Sequence, residues 1–191
     1  MIIHSIFAPS TLSNIYMIHN NKKELIIIDP AEVSEEMIRY IEENDLTLKG
    51  VLLTHFSKDS VLSLLTLEKI YTFPFYSYFR PNEKGTIPIE PNKEFLIGDI
   101  RIHPIEIKGC RDDSLVYMIE NALFTGSILY AGNIGETDSY MKREILKKEI
   151  KEKLMSLDDN VLLFPAHGPT SKIRIEKLFN IDLVTSEAAY L

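Results

Sequence analysis

With 191 residues and 45% apolar content, the chain has enough material for one substantial core, and a single domain over residues 1–191 is expected. A net charge of -7 sets it against nucleic acid and acidic membranes, both of which call for a basic face. The only cysteine, Cys110, excludes an intrachain disulfide and suits a reducing compartment.

Met1 to Phe7 carries no basic segment of the kind that opens a signal peptide, and no apolar run approaches the roughly 20 residues of a membrane span. The sequence therefore reads as cytoplasmic. In chain order, Ile2 to Phe7, Ile15 to Ile18 and Leu25 to Ile28 look like successive strands, the last stopped by Asp29-Pro30. Met37, Ile38 and Ile41, with Leu46 a longer step on, sit among charges from Ser34 to Asn44 and predict a surface helix capped by Ser34. Strand Val51-Leu52-Leu53 delivers the string Thr54-His55-Phe56-Ser57-Lys58-Asp59-Ser60, and Val61 to Ile70 reads as helix.

The middle third is rich in short apolar runs: Phe73 to Phe79, Phe95 to Ile97, Ile100 to Ile107 and Leu115 to Ile119. Turn signals at Pro81-Asn82, Pro91-Asn92 and Gly98-Asp99 divide them. Leu123 to Gly126 and Ile128 to Tyr130 follow, then a turn from Gly132 to Gly135. A charged helix over Ser139 to Ser156 precedes strand Val161 to Phe164, the loop Pro165 to Pro169 and a closing helix. Two β-layers covered by helices on the outside fit this order.

The Thr54 to Ser60 string has the outline of a metal site. A strand ending in T-H-x-H-x-D-H gathers imidazoles and a carboxylate, the ligands that zinc and its neighbours prefer. Here Ser57 and Ser60 stand at the second and third histidine positions, and a neutral hydroxyl is a poor ligand for such ions.

The string is one of several ordered blocks: Asn14-Ile15-Tyr16, Ile28-Asp29-Pro30, Gly109-Cys110 followed by Ser114, Leu123 to Ser127, Gly132 to Asp138, and Pro165 to Thr170. Together they resemble the metallo-β-lactamase superfamily over nearly the full length, and the Gly132 to Asp138 block is similar to its glyoxalase-II-like hydrolases. The resemblance implies an α/β fold, a four-layer αβ/βα sandwich of two mixed β-sheets flanked by helices, with the metal site at one edge between the sheets. It assigns one ion to positions 55, 57 and 110, a second to 59, 60 and 167, and a bridging carboxylate to 127. This chain has His55, Ser57 and Cys110, then Asp59, Ser60 and His167, and finally Ser127.

A catalytic zinc takes three protein ligands plus the water it acidifies, and neither set supplies them. The sequence is therefore expected to describe a pseudoenzyme on a hydrolase fold: no catalytic residue, no bound cofactor, and His55, Asp59, Cys110 and His167 as a vestigial metal set. Such a cleft stays polar and suits a small polar or anionic ligand in a binding or scaffold role. The alternative is a residual thioester, ester or lactone hydrolase that holds one zinc or similar divalent ion with those four residues. A metal-free hydrolase with Cys110 as nucleophile, and His55 or His167 as base, is a further reading. In the inactive case, His55 and His167 are expected to hydrogen-bond Asp59. Arg111 either supplies Asp59 with positive charge or balances Asp112 and Asp113. His4, His19 and His103 lie outside the matching blocks, and no apolar stripe argues for an oligomer.

Overall fold

The structure, a computed structural model, describes residues 1–78 and 86–184. β1 (Ile2–Ala8), β2 (Ser13–His19) and β3 (Glu24–Ile28) form an antiparallel meander. Helix α1 (Glu35–Glu43) then crosses to β4 (Thr47–Leu52), which runs parallel to β3. Helix α2 (Lys58–Leu67), β5 (Phe75–Ser77) and β6 (Thr86–Pro88) follow, and among the described residues β1 to β6 make one sheet in sequence order. The next strands are β7 (Phe95–Ile97), β8 (Ile100–Glu106), β9 (Leu115–Ile119) and β10 (Ala122–Gly126). Helix α3 (Tyr140–Glu149) continues as a π turn over Ile150–Leu154, followed by β11 (Leu162–Pro165), β12 (Ser171–Lys172) and α4 (Ile173–Phe179). The second sheet has the order β12-β11-β10-β9-β8-β7, with β10 and β11 parallel and its other pairs antiparallel.

Strands buried on both faces need apolar residues at successive positions, and β2 and β3 provide them. Ile15, Met17, Leu25 and Ile27 join Met37, Ile41 and Leu64 of α1 and α2 in one apolar cluster. Their neighbours Tyr16, Ile18, Ile26 and Ile28 turn the other way and meet Ile102, Tyr117 and Phe124 of the second sheet. Beyond that sheet, Val116, Leu123 and Leu163 cluster with Leu146, Ile150, Leu154 and Ile173. Three apolar layers separate four layers of secondary structure, helices outside and two mixed sheets inside, as the sequence implied.

Several boundaries move. Helix α2 begins at Lys58 rather than Val61, because the Ser57 hydroxyl accepts the Ser60 amide at 3.0 Å and caps the first turn. Asp59 and Ser60 therefore stand on a helix and not in a loop. The expected strand from Phe73 shortens to Phe75–Ser77, while Phe79 and the Pro81-Asn82 turn lie outside the described residues. β6 and β12 carry little apolar signal and were not expected; backbone pairing alone defines them. The long helix begins as predicted, capped by Ser139 through the Lys142 amide, and changes to π geometry at Ile150. Among the described residues, no helix is long and apolar enough to cross a membrane.

Candidate functional site

The site grows from the ends of the two parallel strands β3 and β4. Ile28 and Leu52 are in register, so Asp29 and Thr54 leave the sheet at the same edge. Asp29 turns there with φ of +48° and accepts the Thr54 amide at 2.7 Å and the Thr54 hydroxyl at 2.6 Å. Burial pushes the Asp29 carboxyl upward, while the His55 charge and the two Thr54 hydrogen bonds pull it back in part. Because the Thr54 proton is given to Asp29, its oxygen accepts from His55 Nδ1, 3.1 Å away. In the neutral form of His55 that assigns the tautomer and leaves Nε2 with a free lone pair.

Two other chain segments close on this edge. At Gly126, which ends β10 with φ of +53°, a Cβ would come within 2.3 Å of Thr54 Oγ1, so only glycine lets the strands converge. The Pro165 to Gly168 loop is held by Asn14, whose side-chain amide donates to Pro165 O at 3.0 Å and to Gly168 O at 2.8 Å. His167 in that loop donates from Nδ1 to Leu12 O at 2.8 Å and meets the Tyr130 ring edge-on at 5.9 Å. Its Nε2, like that of His55, is left as an acceptor.

All seven positions that the resemblance assigns to metal come to this edge. His55, Ser127 and His167 border both a cleft of about 880 Å³, which Cys110 also lines, and a recess of about 220 Å³ that holds Ser57, Asp59 and Ser60. Their hydrogen bonds run differently from those expected. The Ser57 and Ser60 hydroxyls lie 2.7 Å apart and bond to each other. Ser127 bonds to the Tyr130 side chain. Asp59, exposed on the first turn of α2, pairs with neither histidine, since His55 goes to Thr54 and His167 to Leu12. Among the described residues, no three His, Cys, Asp or Glu side chains come together as a metal-holding group.

Burial pushes the Cys110 thiol up, with Arg111 and a Ser114 hydrogen bond pulling it down, so it stays protonated at neutral pH. Its sulfur faces the carbonyl oxygens of Glu136 at 3.8 Å and Ser127 at 4.0 Å, and neither is a base. Arg111 donates from Nε to Asp113 at 3.0 Å and from Nη2 to Phe56 O at 3.2 Å, so its charge goes to Asp113 rather than Asp59. Asp113 in turn accepts the Phe56 amide at 2.9 Å. Burial works against that carboxylate, yet the Phe56 amide, Arg111 and His55 together hold it below the usual range.

The remaining cation of the cleft, Lys142, pairs with Asp138 at 2.8 Å. Asp112 and Glu136 line the same cleft, and neither forms an ion pair among the described residues. In the sequence Asp29, Thr54 and Gly126 stand only as parts of larger blocks, and Asp113 only as a charge that Arg111 balances. The Asp29-Pro30 stop after a strand was the one available signal for the first; the others depend on approaches between distant segments.

No family model matches the sequence. The chain is 29% identical over 195 residues to a hydroxyacylglutathione hydrolase of Haemophilus influenzae, covering 87% of this chain and 91% of that one. It is 28% identical over 165 residues to hydroxyacylglutathione hydrolase 1 of Vibrio vulnificus, covering 84% of this chain but spanning only 64% of that protein's length. In fold it is similar to the B3 metallo-β-lactamase BLEG-1, with a TM-score of 0.83 at 22% identity over 96% of this chain and 100% of that one. ETHE1 of Myxococcus xanthus gives 0.82 at 23% identity, over 95% and 84%. Sequence likeness to hydroxyacylglutathione hydrolases and fold likeness to metallo-β-lactamase-fold proteins together support the metallo-β-lactamase superfamily, on its glyoxalase-II-like side.

Proposed function

We propose that this member is a pseudoenzyme, a hydrolase-fold binding protein whose metal-dependent chemistry is lost or strongly impaired. The observation that carries the reading is the pairing of Ser57 with Ser60. Both hydroxyls are spent on each other and on the cap of α2, at positions where an ion would require donors facing outward. Cys110 sits in a core cluster as a protonated thiol, and Ser127 offers no charge to bridge two dications. The donor set does not fit a two-ion centre, and no bound cofactor is assigned.

Charge narrows the ligand. The cleft keeps unpaired carboxylates at Asp112 and Glu136, with Asp59 in the adjoining recess, while Arg111 and Lys142 are already paired. A glutathione thioester carries two carboxylates against one ammonium, and this cleft repels such a net anion. The ligand class favoured is therefore small, polar and uncharged or cationic, in place of the anionic one. The lone cysteine supports a cytoplasmic setting.

The single-ion thioester, ester or lactone hydrolase built on His55, Asp59, Cys110 and His167 has one observation in its favour. Both histidines are tethered through Nδ1 and present Nε2, the posture of metal-bound imidazoles. The test is elemental analysis of protein purified without chelator, zinc titration, and a thioesterase assay with an acylglutathione. Substoichiometric metal and no hydrolysis above the uncatalysed rate are expected. One tightly held ion per chain, released on His167→Ala, would sink the pseudoenzyme reading.

A further inference from the structure

The resemblance assigns positions 55, 57 and 110 to one ion, and those positions lie in two separate loops, Leu53 to Ser57 and Ile107 to Ser114. In this chain the two loops meet through Arg111, Asp113 and the Phe56 peptide. The Phe56 amide donates to Asp113 Oδ2 at 2.9 Å, and the Phe56 carbonyl accepts from Arg111 Nη2 at 3.2 Å. Arg111 Nε closes the ring on Asp113 Oδ1 at 3.0 Å. One residue's backbone is therefore gripped on both of its polar groups by an ion pair from the other loop. A second tie, Leu115 N to Thr54 O at 2.8 Å, lies just behind it.

We infer that Arg111 and Asp113 form an ion-independent clamp that joins these loops and sets the wall of the cleft. The residue types are suited to it. The guanidinium is planar with several donors, so it reaches a carboxylate and a carbonyl at once, which an ammonium does not do in fixed geometry. The Asp113 side chain is only 13% exposed, so its bonds are shielded from water, whereas Arg111 is half exposed and is replaced without leaving a hole. Fixing the Phe56 peptide also fixes the direction in which His55 and the Phe56 ring leave the chain, and both line the cleft. In being ion-independent, the inference rests on the proposed loss of metal; in naming the two residues, it rests on the hydrogen bonds alone.

Amide hydrogen exchange followed by NMR on the full chain tests it, because the Phe56 amide is the clamped group. Arg111→Ala is expected to speed Phe56 exchange by about tenfold while leaving Ile27 in β3 unchanged, and Asp113→Asn is expected to act in the same direction. In both variants and in wild type, EDTA is expected to add nothing. Unchanged Phe56 exchange in the two folded variants would overturn the clamp and leave the pseudoenzyme reading intact. Faster wild-type Phe56 exchange on EDTA alone would show that an ion holds the loop, and would overturn both its ion-independence and the proposed loss of metal.

Discussion

The Thr54 hydroxyl links the buried Asp29 carboxylate to an imidazole in the cleft. It donates inward and accepts outward, so its loss leaves both partners short. Thr54→Val keeps the shape and removes the oxygen; a loss of about 1–3 kcal/mol is expected, read as a lower urea midpoint with unchanged slope. Thr54→Ser is expected to recover most of it, and a valine variant as stable as wild type would refute the linkage. Histidines announce themselves in a sequence because few residues share their chemistry. Asp29 does not, because its role depends on β3 and β4 running parallel with Ile28 beside Leu52, and nothing local to Asp29 states that.

At the scale of the element, Ser57 and Ser60 have a use of their own. Along the sequence they stand where the resemblance puts histidines; on the backbone they are the start of a helix. Ser57→Ala is expected to cost about 1 kcal/mol through loss of the α2 cap, and Ser57→Asp close to nothing, since aspartate caps as well as serine. Thermal melts of the two variants check this, and equal melting of alanine and wild type would remove the cap from the account. The same rule was legible at Ser34, where the Met37 amide is accepted at 3.2 Å. At Ser57 the cap is masked by the metal-site outline of the string, and the helical stretch Lys58 to Ser60 has no apolar periodicity of its own.

Across the whole molecule, the central apolar layer holds the two sheets together and so keeps the site's contributing strand ends in place. Phe124 is 1% exposed there, with its ring 5.4 Å from Tyr16 and 5.2 Å from Phe164. Phe124→Ala is expected to cost about 3–5 kcal/mol in urea unfolding, and a cost below about 1 kcal/mol would contradict the layered packing described. The sequence by itself determined the layered α/β architecture, because runs such as Tyr16-Met17-Ile18 and Ile26-Ile27-Ile28 bury both faces of a strand wherever they sit. It also determined which donors stand at the positions the resemblance assigns to metal, since donor chemistry is fixed by residue type. Only the tertiary structure decided which side chains meet. Asp59 and the histidines are near in the pattern yet bond elsewhere, and Arg111 turns to Asp113 and Phe56 rather than to Asp59. The reason is geometric: hydrogen-bond partners are chosen within about 3 Å, a distance set by strand register and loop path, which spacing along the chain does not encode.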